Sequence, residues 1–541
     1  DLIAALDPAR PPAGILSLLA LDETAHPRWP DVPRGTVGNL TLIQELDRNA
    51  VDAPLWLATR GAVSVSPADR ITGPAQAQTW GLGLVAGLEL PGRWGGLIDL
   101  PPTVDARAAG RIAAVLAGLG GEDQVAVRAS GVLARRMVRA APNLVRTPAP
   151  SLTGTVLITG GTGTIGAQVA RKLVAAGAGR LILTSRRGLD APGAPELAAE
   201  LTGLGAQVRI AACDVADRDA VRDLLASIDD AAPLTAVFHA AGVAQSTPLT
   251  AIDPAELAAT VRGKATGARH LDELAGDDLE AFVVFSSGAS VWGGSGQAAY
   301  AAGNAYLDAL CRQRHERGQA ALSVSWGGWE GSGMATAEAV AQLSRRGLRP
   351  MSSQLALAAL DQAMTEPDPH VTVADIDWER FAPSYTAARR RPLIDEIPEA
   401  RAGRDADRTG PVADGEANEL VTRLAALPVG EHKRHLQELV RRMAAEALGH
   451  TGVEEIEPNR AFRELGFDSV TAVDVRNKLR AATGLALPTT LIFDYPTPVL
   501  LAEHLRSELL GEAPVETVAV AATGGTGEPI AIVGMSCRYA G

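Results

Sequence analysis

Cysteine is scarce in this 541-residue chain: there are three, Cys213, Cys311 and Cys537, and none forms a CxxC pair. A disulfide framework and a cysteine-based zinc site are thereby excluded, and a reducing, cytoplasmic setting is expected. Long apolar runs are missing too. No uninterrupted stretch reaches the roughly 18 residues that span a bilayer, and the opening Asp1-Leu2-Ile3 carries neither a methionine nor a signal-peptide pattern. A soluble protein without a membrane partner is expected, and its start reads as a cut. Positive charge is in deficit: 50 Lys and Arg against 63 Asp and Glu leave a formal charge of −13, with no long basic run. A nucleic-acid backbone needs a concentrated positive surface, so nucleic acid is not an expected partner. The nine histidines are scattered and offer no ligand cluster, so no metal is expected.

What is present is the composition of well-cored globular domains, 46% hydrophobic and 21% charged. At about 150 residues per domain, the length predicts three or four of them. Stretches rich in Pro, Gly and charge at 140–151, 398–418 and 511–528 read as connectors. They give an α/β segment at 1–147, a second at 148–397, a linker at 398–428, an all-helical segment at 429–510, a linker at 511–528 and the start of a further domain at 529–541. The second segment alternates short apolar runs (156–158, 181–183, 236–238, 282–285) with Ala/Leu-rich helical stretches. That is the grammar of a doubly wound parallel sheet. The first repeats it, with candidate strands at 16–21 and 55–59, but offers no glycine-rich loop.

After the strand predicted at 155–158 come Thr159, Gly160, Gly161, Thr162, Gly163, Thr164, Ile165 and Gly166, and then a predicted helix at 167–176. Glycines at 160, 163 and 166 let the backbone turn tightly, approach a pyrophosphate and pack helix on sheet, while the helix start offers free N–H groups to the anion. The next strand ends in Thr184-Ser185-Arg186-Arg187, where an NAD enzyme would place a carboxylate. Arg186 suits a ribose 2′-phosphate instead, so NADPH is favoured over NADH. The alternative is that Arg186 and Arg187 are only solvated charges. Asp214 and Val215, after the third strand, fall where the adenine would lie.

Reducing a carbonyl by hydride needs a proton donor, a hydrogen-bond donor that orients the carbonyl, and a cation that draws a tyrosine's pKa down from about 10. Ser287 ends the run at 282–287, Tyr300 follows thirteen residues later, and Asn304 stands four beyond that. This spacing is that of the short-chain dehydrogenase/reductase superfamily, and Ser286 lacks it. Where the superfamily has lysine four residues after the tyrosine, this chain has Asn304, with Lys264 upstream. The exchange resembles the ketoreductase domains of modular polyketide synthases. That resemblance implies Tyr300 as proton donor, Ser287 polarising the carbonyl, Lys264 depressing the tyrosine pKa and Asn304 supporting the network. It extends to His239-Ala240-Ala241-Gly242 on the cofactor side, to Trp326-Gly327 ahead of a lid at 333–346, and to residues 93–100, similar to the family's structural subdomain.

Setting 40–46 against 268–274 and 78–81 against 298–301 puts Thr36 opposite Lys264, Trp80 opposite Tyr300 and Leu84 opposite Asn304. The first segment is therefore expected to be a degenerate Rossmann-like duplicate that buttresses the second. Family members that make the D-hydroxyl carry Leu-Asp-Asp where this chain has Ala244-Gln245-Ser246. Trp292, eight residues before Tyr300, resembles the A type, which yields an L-β-hydroxyl, and Gln297 in place of a histidine points to type A1. Both are expected to control which carbonyl face is reduced. The alternative for Trp292 is a core aromatic.

In the helical segment, Asp468-Ser469 begins a predicted helix, preceded by Leu465-Gly466 and a long amphipathic helix at 435–448, and followed by Phe493-Asp494-Tyr495-Pro496. Ser469 alone would pass for an N-cap serine. The set resembles an acyl carrier protein and implies a covalent 4′-phosphopantetheine on Ser469, attached by a phosphopantetheinyl transferase. Residues 529–538 resemble the opening of a ketosynthase, with Cys537 too near that opening to be its nucleophile. The implied partners are ketosynthase and acyltransferase domains of one assembly line, in a homodimeric synthase. The competing readings are a reductase–carrier pair of a fatty acid synthase and a carrier scaffold with a silent reductase.

Overall fold

A computed structural model of the chain describes residues 12–140, 150, 152–331, 336–402, 424, 428–448, 452–465, 467, 469–485, 487–488 and 490–510. The connector at 511–528 and the ketosynthase-like stretch at 529–541 lie outside the described residues. Internal contacts divide the chain into two units, 1–410 and 411–541.

Unit one contains two sheets built on parallel strands. In the first, β1 (Ile15–Ser17), β2 (Leu55–Arg60), β3 (Trp94–Leu100) and β4 (Gln124–Arg128) lie parallel in that order. They are linked by α1 (Arg34–Arg48), α2 (Ala77–Glu89) and α3 (Ala106–Leu116), and β5 (Gly131–Ala134) returns antiparallel on β4. The strand expected at 16–21 stops at Ser17, and Leu19–Leu21 form a 3₁₀ turn. The Ser17 hydroxyl donates to Asn39 Oδ1 at 2.6 Å, and Gly35 of α1 passes so close to the Leu19 carbonyl that a side chain has no room. Leu16, Leu18 and Leu19 are left exposed, so the apolar run is not a buried strand.

The second sheet takes β6 (Thr155–Thr159), β7 (Arg180–Ser185), β8 (Gln207–Ala212), β9 (Leu234–His239), β10 (Ala281–Ser287) and β11 (Leu322–Trp326). A short antiparallel pair, β12 (Leu348–Arg349) and β14 (Asp375–Ile376), flanks the edge strand β13 (His370–Val373). The spatial order is β13-β11-β10-β9-β6-β7-β8, every neighbour parallel. Its helices are α4 (Thr164–Ala175), α5 (Ala194–Gly203), α6 (Arg218–Ala226), α7 (Pro254–Val261), α8 (Gly267–Leu274), α9 (Ala298–Glu316), α10 (Ala337–Arg345), α11 (Ser353–Ala363) and α12 (Trp378–Thr386). Val156, Leu157, Ile158, Val237 and Val284 are fully buried, as both faces of such a sheet are covered by helices. The chain changes direction across the sheet between β6 and β9, the place where α/β sheets open a crevice at their carboxyl ends.

The first sheet repeats only half of the second. β1, β2, β3 and β4 with α1, α2 and α3 match β9, β10, β11 and β13 with α7–α8, α9 and α11 in order and direction. Among the described residues, nothing in it corresponds to β6, β7 and β8. The two halves meet along α2 and α9, where a Cβ on Gly81 would sit 2.3 Å from the Ala301 carbonyl oxygen. Gly81 and Ala301 are the pair the sequence comparison sets opposite each other, so the helices cross at equivalent positions. Trp80, opposite Tyr300, is buried and donates its indole N–H to Thr59.

The folded part of unit one runs past 397, since Ala400 is fully buried with Trp378, Phe381 and Leu393. In unit two, α13 (Val429–Leu448), α14 (Ser469–Thr483), the short α15 (Leu491–Asp494) and α16 (Pro498–Leu510) form a helical domain. Leu436, Leu439, Val440 and Ala444 place one apolar stripe of α13 against Phe462, Val475, Leu479, Leu501 and Leu505. Among the described residues, no helix is long and apolar enough to cross a membrane, and no group of His, Cys, Asp and Glu could hold a metal ion.

Candidate active site

The glycine loop joins β6 to α4, which begins at Thr164, three residues before the expected start. Gly160 has φ +65°, and a Cβ there would lie 2.9 Å from the Ala241 nitrogen; one on Gly166 would lie 2.3 Å from the Gly160 oxygen. The loop is pinned on both sides, Gly161 N–H donating to the Thr184 carbonyl at 3.0 Å and Ala240 N–H to that of Thr159 at 3.1 Å. Gly163 caps α4 without a side chain, leaving the first N–H groups open. This backbone cradle, which side chains would fill, fits a dinucleotide pyrophosphate. Around it, Thr162 and Ile165 are half-buried, Ser185 ends β7, and Arg186 and Arg187 are exposed. Asp214 accepts from the Ala216 N–H at 3.1 Å and pairs with Arg262 at 3.3 Å, beside the buried Val215.

A cleft of 220 Å³ opens beside this loop, lined by Ile165, Gly242, Lys264, Ser287, Trp292, Gln297 and Tyr300 among others. Three elements bring the expected catalytic residues there. Ser287 is the last residue of β10, and Tyr300 and Asn304 sit one turn apart at the start of α9. Lys264 lies in a π-helical turn, Arg262–Thr266, between α7 and α8. The wider turn accommodates one residue more per loop than an α-helix, a feature common at functional sites. It places the buried Lys264 ammonium 2.8 Å from the Phe285 carbonyl and 5.2 Å from the centre of the Tyr300 ring. The lysine lies against Gly303, on the second turn of α9, so the exchange of lysine and asparagine leaves the cation beside the tyrosine.

Burial pushes the Tyr300 phenol above its usual range, and hydrogen bonds from Ser287 and Asn304 oppose that shift. Ala289 N–H donates to the Ser287 oxygen at 3.3 Å. Asn304 Nδ2 donates to the Tyr300 carbonyl at 2.7 Å. Burial lowers the Lys264 ammonium to about 8, the nearby Asp308 carboxylate working the other way. Ser286, which lacks the catalytic spacing, is buried and points at the Asn304 carbonyl, 3.3 Å away.

Several further residues support these four. His239 is buried, and burial, reinforced by the Lys264 charge, pushes it down to about 4, so the ring is neutral. Its Nε2 faces the Lys264 carbonyl at 3.0 Å, which only accepts, so that nitrogen carries the proton and Nδ1 accepts from the Thr159 hydroxyl at 2.7 Å. One ring thus ties the start of the glycine loop to the catalytic lysine's backbone. Gln245, seen only as a departure from Leu-Asp-Asp, accepts from the N–H groups of Ala299 (3.1 Å) and Tyr300 (3.4 Å), capping α9. Asp308, one turn beyond Asn304, accepts from Ser290 at 2.5 Å and Ser323 at 2.6 Å. Trp292 is both things at once: it lines the cleft and stands edge-on to Phe381, 6.0 Å away, in a buried aromatic cluster. Gln297 is the N-cap residue of α9. Of the lid read at 333–346, residues 333–335 lie outside the described residues; the rest is α10, capped by Thr336, with Val340 and Leu343 on the cleft. In unit two, Ser469 is the first residue of α14, while Gly466 and Asp468 lie outside the described residues.

Comparison with known proteins decides the family. Three families match: the KR domain over residues 154–331, the Rossmann fold domain of polyketide synthase extender module SpnB over 2–137, and the phosphopantetheine attachment site over 438–505. A solved structure described as an A1-type ketoreductase is 51% identical, with a TM-score of 0.71, covering 73% of this chain and 83% of its own. The chain belongs to the ketoreductases of modular polyketide synthases. Its carrier domain extends it beyond those structures. Polyketide synthase GfsA of Streptomyces halstedii is 50% identical over 98% of the chain, and the pikromycin synthase component PikAII of Streptomyces venezuelae 49% over 98%. The chain spans only 7% and 15% of these two synthases. Its domains are those of an NADPH-dependent β-ketoacyl reductase and a phosphopantetheine carrier. A C2-type ketoreductase is nearly as similar, 48% identical with a TM-score of 0.69 over 73% of this chain and 86% of its own, so overall likeness does not choose the stereochemical type.

Proposed function

We propose that this ketoreductase reduces a β-ketoacyl thioester held on Ser469 to the L-β-hydroxyacyl thioester, within a synthase that supplies ketosynthase and acyltransferase domains. The observation that carries the reading is the convergence of Tyr300, Ser287, Lys264 and Asn304 on one cleft beside the glycine loop. NADPH, when bound, supplies the hydride. Thr159, Gly160, Gly161, Thr162, Gly163, Ile165 and Gly166 would hold its pyrophosphate, Ser185 and Arg186 its 2′-phosphate, Asp214 and Val215 its adenine, and Ala240, Ala241 and Gly242 its inner edge. Ser287 donates its hydroxyl proton to the ketone oxygen and fixes the carbonyl. Tyr300 gives up its phenolic proton to the same oxygen as charge develops there, and Lys264 stabilises the tyrosinate left behind. Asn304, bonded to the Tyr300 carbonyl, keeps the first turn of α9 in register.

Trp292 and Gln297 line the cleft, and with no Leu-Asp-Asp at 244–246 this supports the A1 assignment. Loading Ser469 with a 2-methyl-3-ketoacyl group through a phosphopantetheinyl transferase and adding NADPH is expected to raise the acyl mass by about 2 Da, the two hydrogens of reduction. Chiral analysis is expected to show the L-hydroxyl with the 2-methyl centre unchanged. A D-hydroxyl would sink the stereochemical assignment, and an unchanged mass the reductase itself. The setting proposed is the cytoplasm, with the intact synthase a homodimer.

The lysine sets a pH limit. Its charged form supports the tyrosinate, and burial holds it at about 8. The value of kcat/KM for reduction is therefore expected to be level below that pH and to fall as pH rises through it. A profile still rising at pH 9 would assign the cationic role to another group.

A further inference from the structure

The active-site cleft is bordered by two adjoining walls, the segment around Gln245–Leu249 and the turn from Trp292 to Gln297, and both are held from behind by the subdomain that has no catalytic residues. We propose that Glu89, at the end of α2, is a positioning residue that sets the separation of these walls and thereby the face from which the ketone is reduced. The inference rests on the stereocontrol reading of Trp292 and Gln297.

One carboxylate bridges the two walls. Glu89 Oε2 accepts from the Leu249 N–H at 2.7 Å, while Oε1 accepts from the Gly296 N–H at 2.6 Å and the Ser295 hydroxyl at 3.3 Å. Hydrogen bonds to a carboxylate are about twice as strong as neutral ones, and a carboxylate alone has acceptors on both oxygens without a donor that would repel an N–H. The same wall is fastened again by Gln44 of α1, whose side-chain amide donates to the Leu249 and Ile252 carbonyls at 3.0 and 2.6 Å. Directly between the walls runs one backbone bond, Thr247 N–H to the Gly296 carbonyl at 3.0 Å. On the cleft side, Gln245 ties the first wall to the N–H groups of Ala299 and Tyr300. A shift at Leu249 or Gly296 is therefore passed to Gln297 and to the helix that carries the proton donor. Leu249, Ser295 and Gly296, the groups that donate to Glu89, belong to these walls and not to the glycine loop, so cofactor binding is expected to be little affected.

The test uses the full chain with a free 2-methyl-3-ketoacyl thioester, NADPH and chiral separation of the four possible products. Glu89→Gln keeps the size but offers an N–H to one wall. It is expected to raise the minor stereoisomers and the KM for the thioester by roughly tenfold each, the scale of one charge-assisted bond, while the Kd for NADPH stays within about twofold. Glu89→Asp keeps the charge but is one methylene short, and intermediate leakage is expected. Unchanged product ratios and KM with only a lower Tm would make Glu89 a structural brace and overturn the proposal. If neither variant folds, amide exchange in the unaltered chain decides: matched slow exchange at Leu249 and Gly296 supports the staple, and fast exchange at either removes it. A wild-type product with the D-hydroxyl would refute the A1 reading alone, since the Glu89 effect is measured as a change in ratio.

Discussion

Replacing Tyr300 with Phe is expected to lower kcat/KM for ketone reduction by about 10²–10⁴-fold, the contribution of a positioned general acid. The fold should survive, because what is removed is one oxygen atom. The ring keeps its place against Lys264, and the backbone of Tyr300 stays tied to Gln245 and Asn304. NADPH affinity is expected to hold within about twofold, the cradle being made of backbone on β6 and α4. Single-turnover measurement of NADPH oxidation, with fluorescence titration of the cofactor, separates the two effects. A variant that loses less than about tenfold would show that another group delivers the proton. Loss of cofactor binding in the same proportion would show that Tyr300 supports the site rather than the chemistry.

The parts legible in the sequence share a physical property: they are short-range. The glycine loop is a strand, a turn and a helix within a dozen residues, and the pairing of Tyr300 with Asn304 is one turn of one helix. Ser287 and Tyr300 are joined by a short connection that fixes their spacing. Lys264 was reachable only through family resemblance, because the π-turn that aims it leaves no trace in hydrophobic periodicity. Residues acting across elements left less. Glu89, Gln245 and Asp308 work through polar bonds to other elements, and each looks in sequence like an ordinary polar residue. The duplicate was visible as similar strings, but that its described strands match β9, β10, β11 and β13 became visible in the sheet order alone. The run at 16–21 misled because its apolar side chains face outward where Asn39 and Gly35 turn the chain.

The sharpest contrast between the two units is expected from Ser469→Ala. A phosphodiester to pantetheine needs the hydroxyl oxygen, and alanine has none, so modification by a phosphopantetheinyl transferase should be abolished rather than reduced. Alanine is a good helix former at the start of α14, and loss of a cap serine costs about 1 kcal/mol at most sites, so the carrier's core around Phe462, Val475 and Leu501 should remain folded. The reductase belongs to the other unit, and its rate with a freely diffusing ketoacyl thioester should be unaffected. What disappears is reduction of tethered substrate, which in the unaltered chain gains from an effective concentration on the order of millimolar. Intact-protein mass spectrometry after incubation with coenzyme A reads the first effect, and NADPH oxidation with free thioester reads the second. Pantetheinylation persisting in the alanine variant would move the attachment to another serine. Loss of activity on the free thioester would mean that the carrier helix supports the reductase fold, and the separation of chemistry from tether would fall with it.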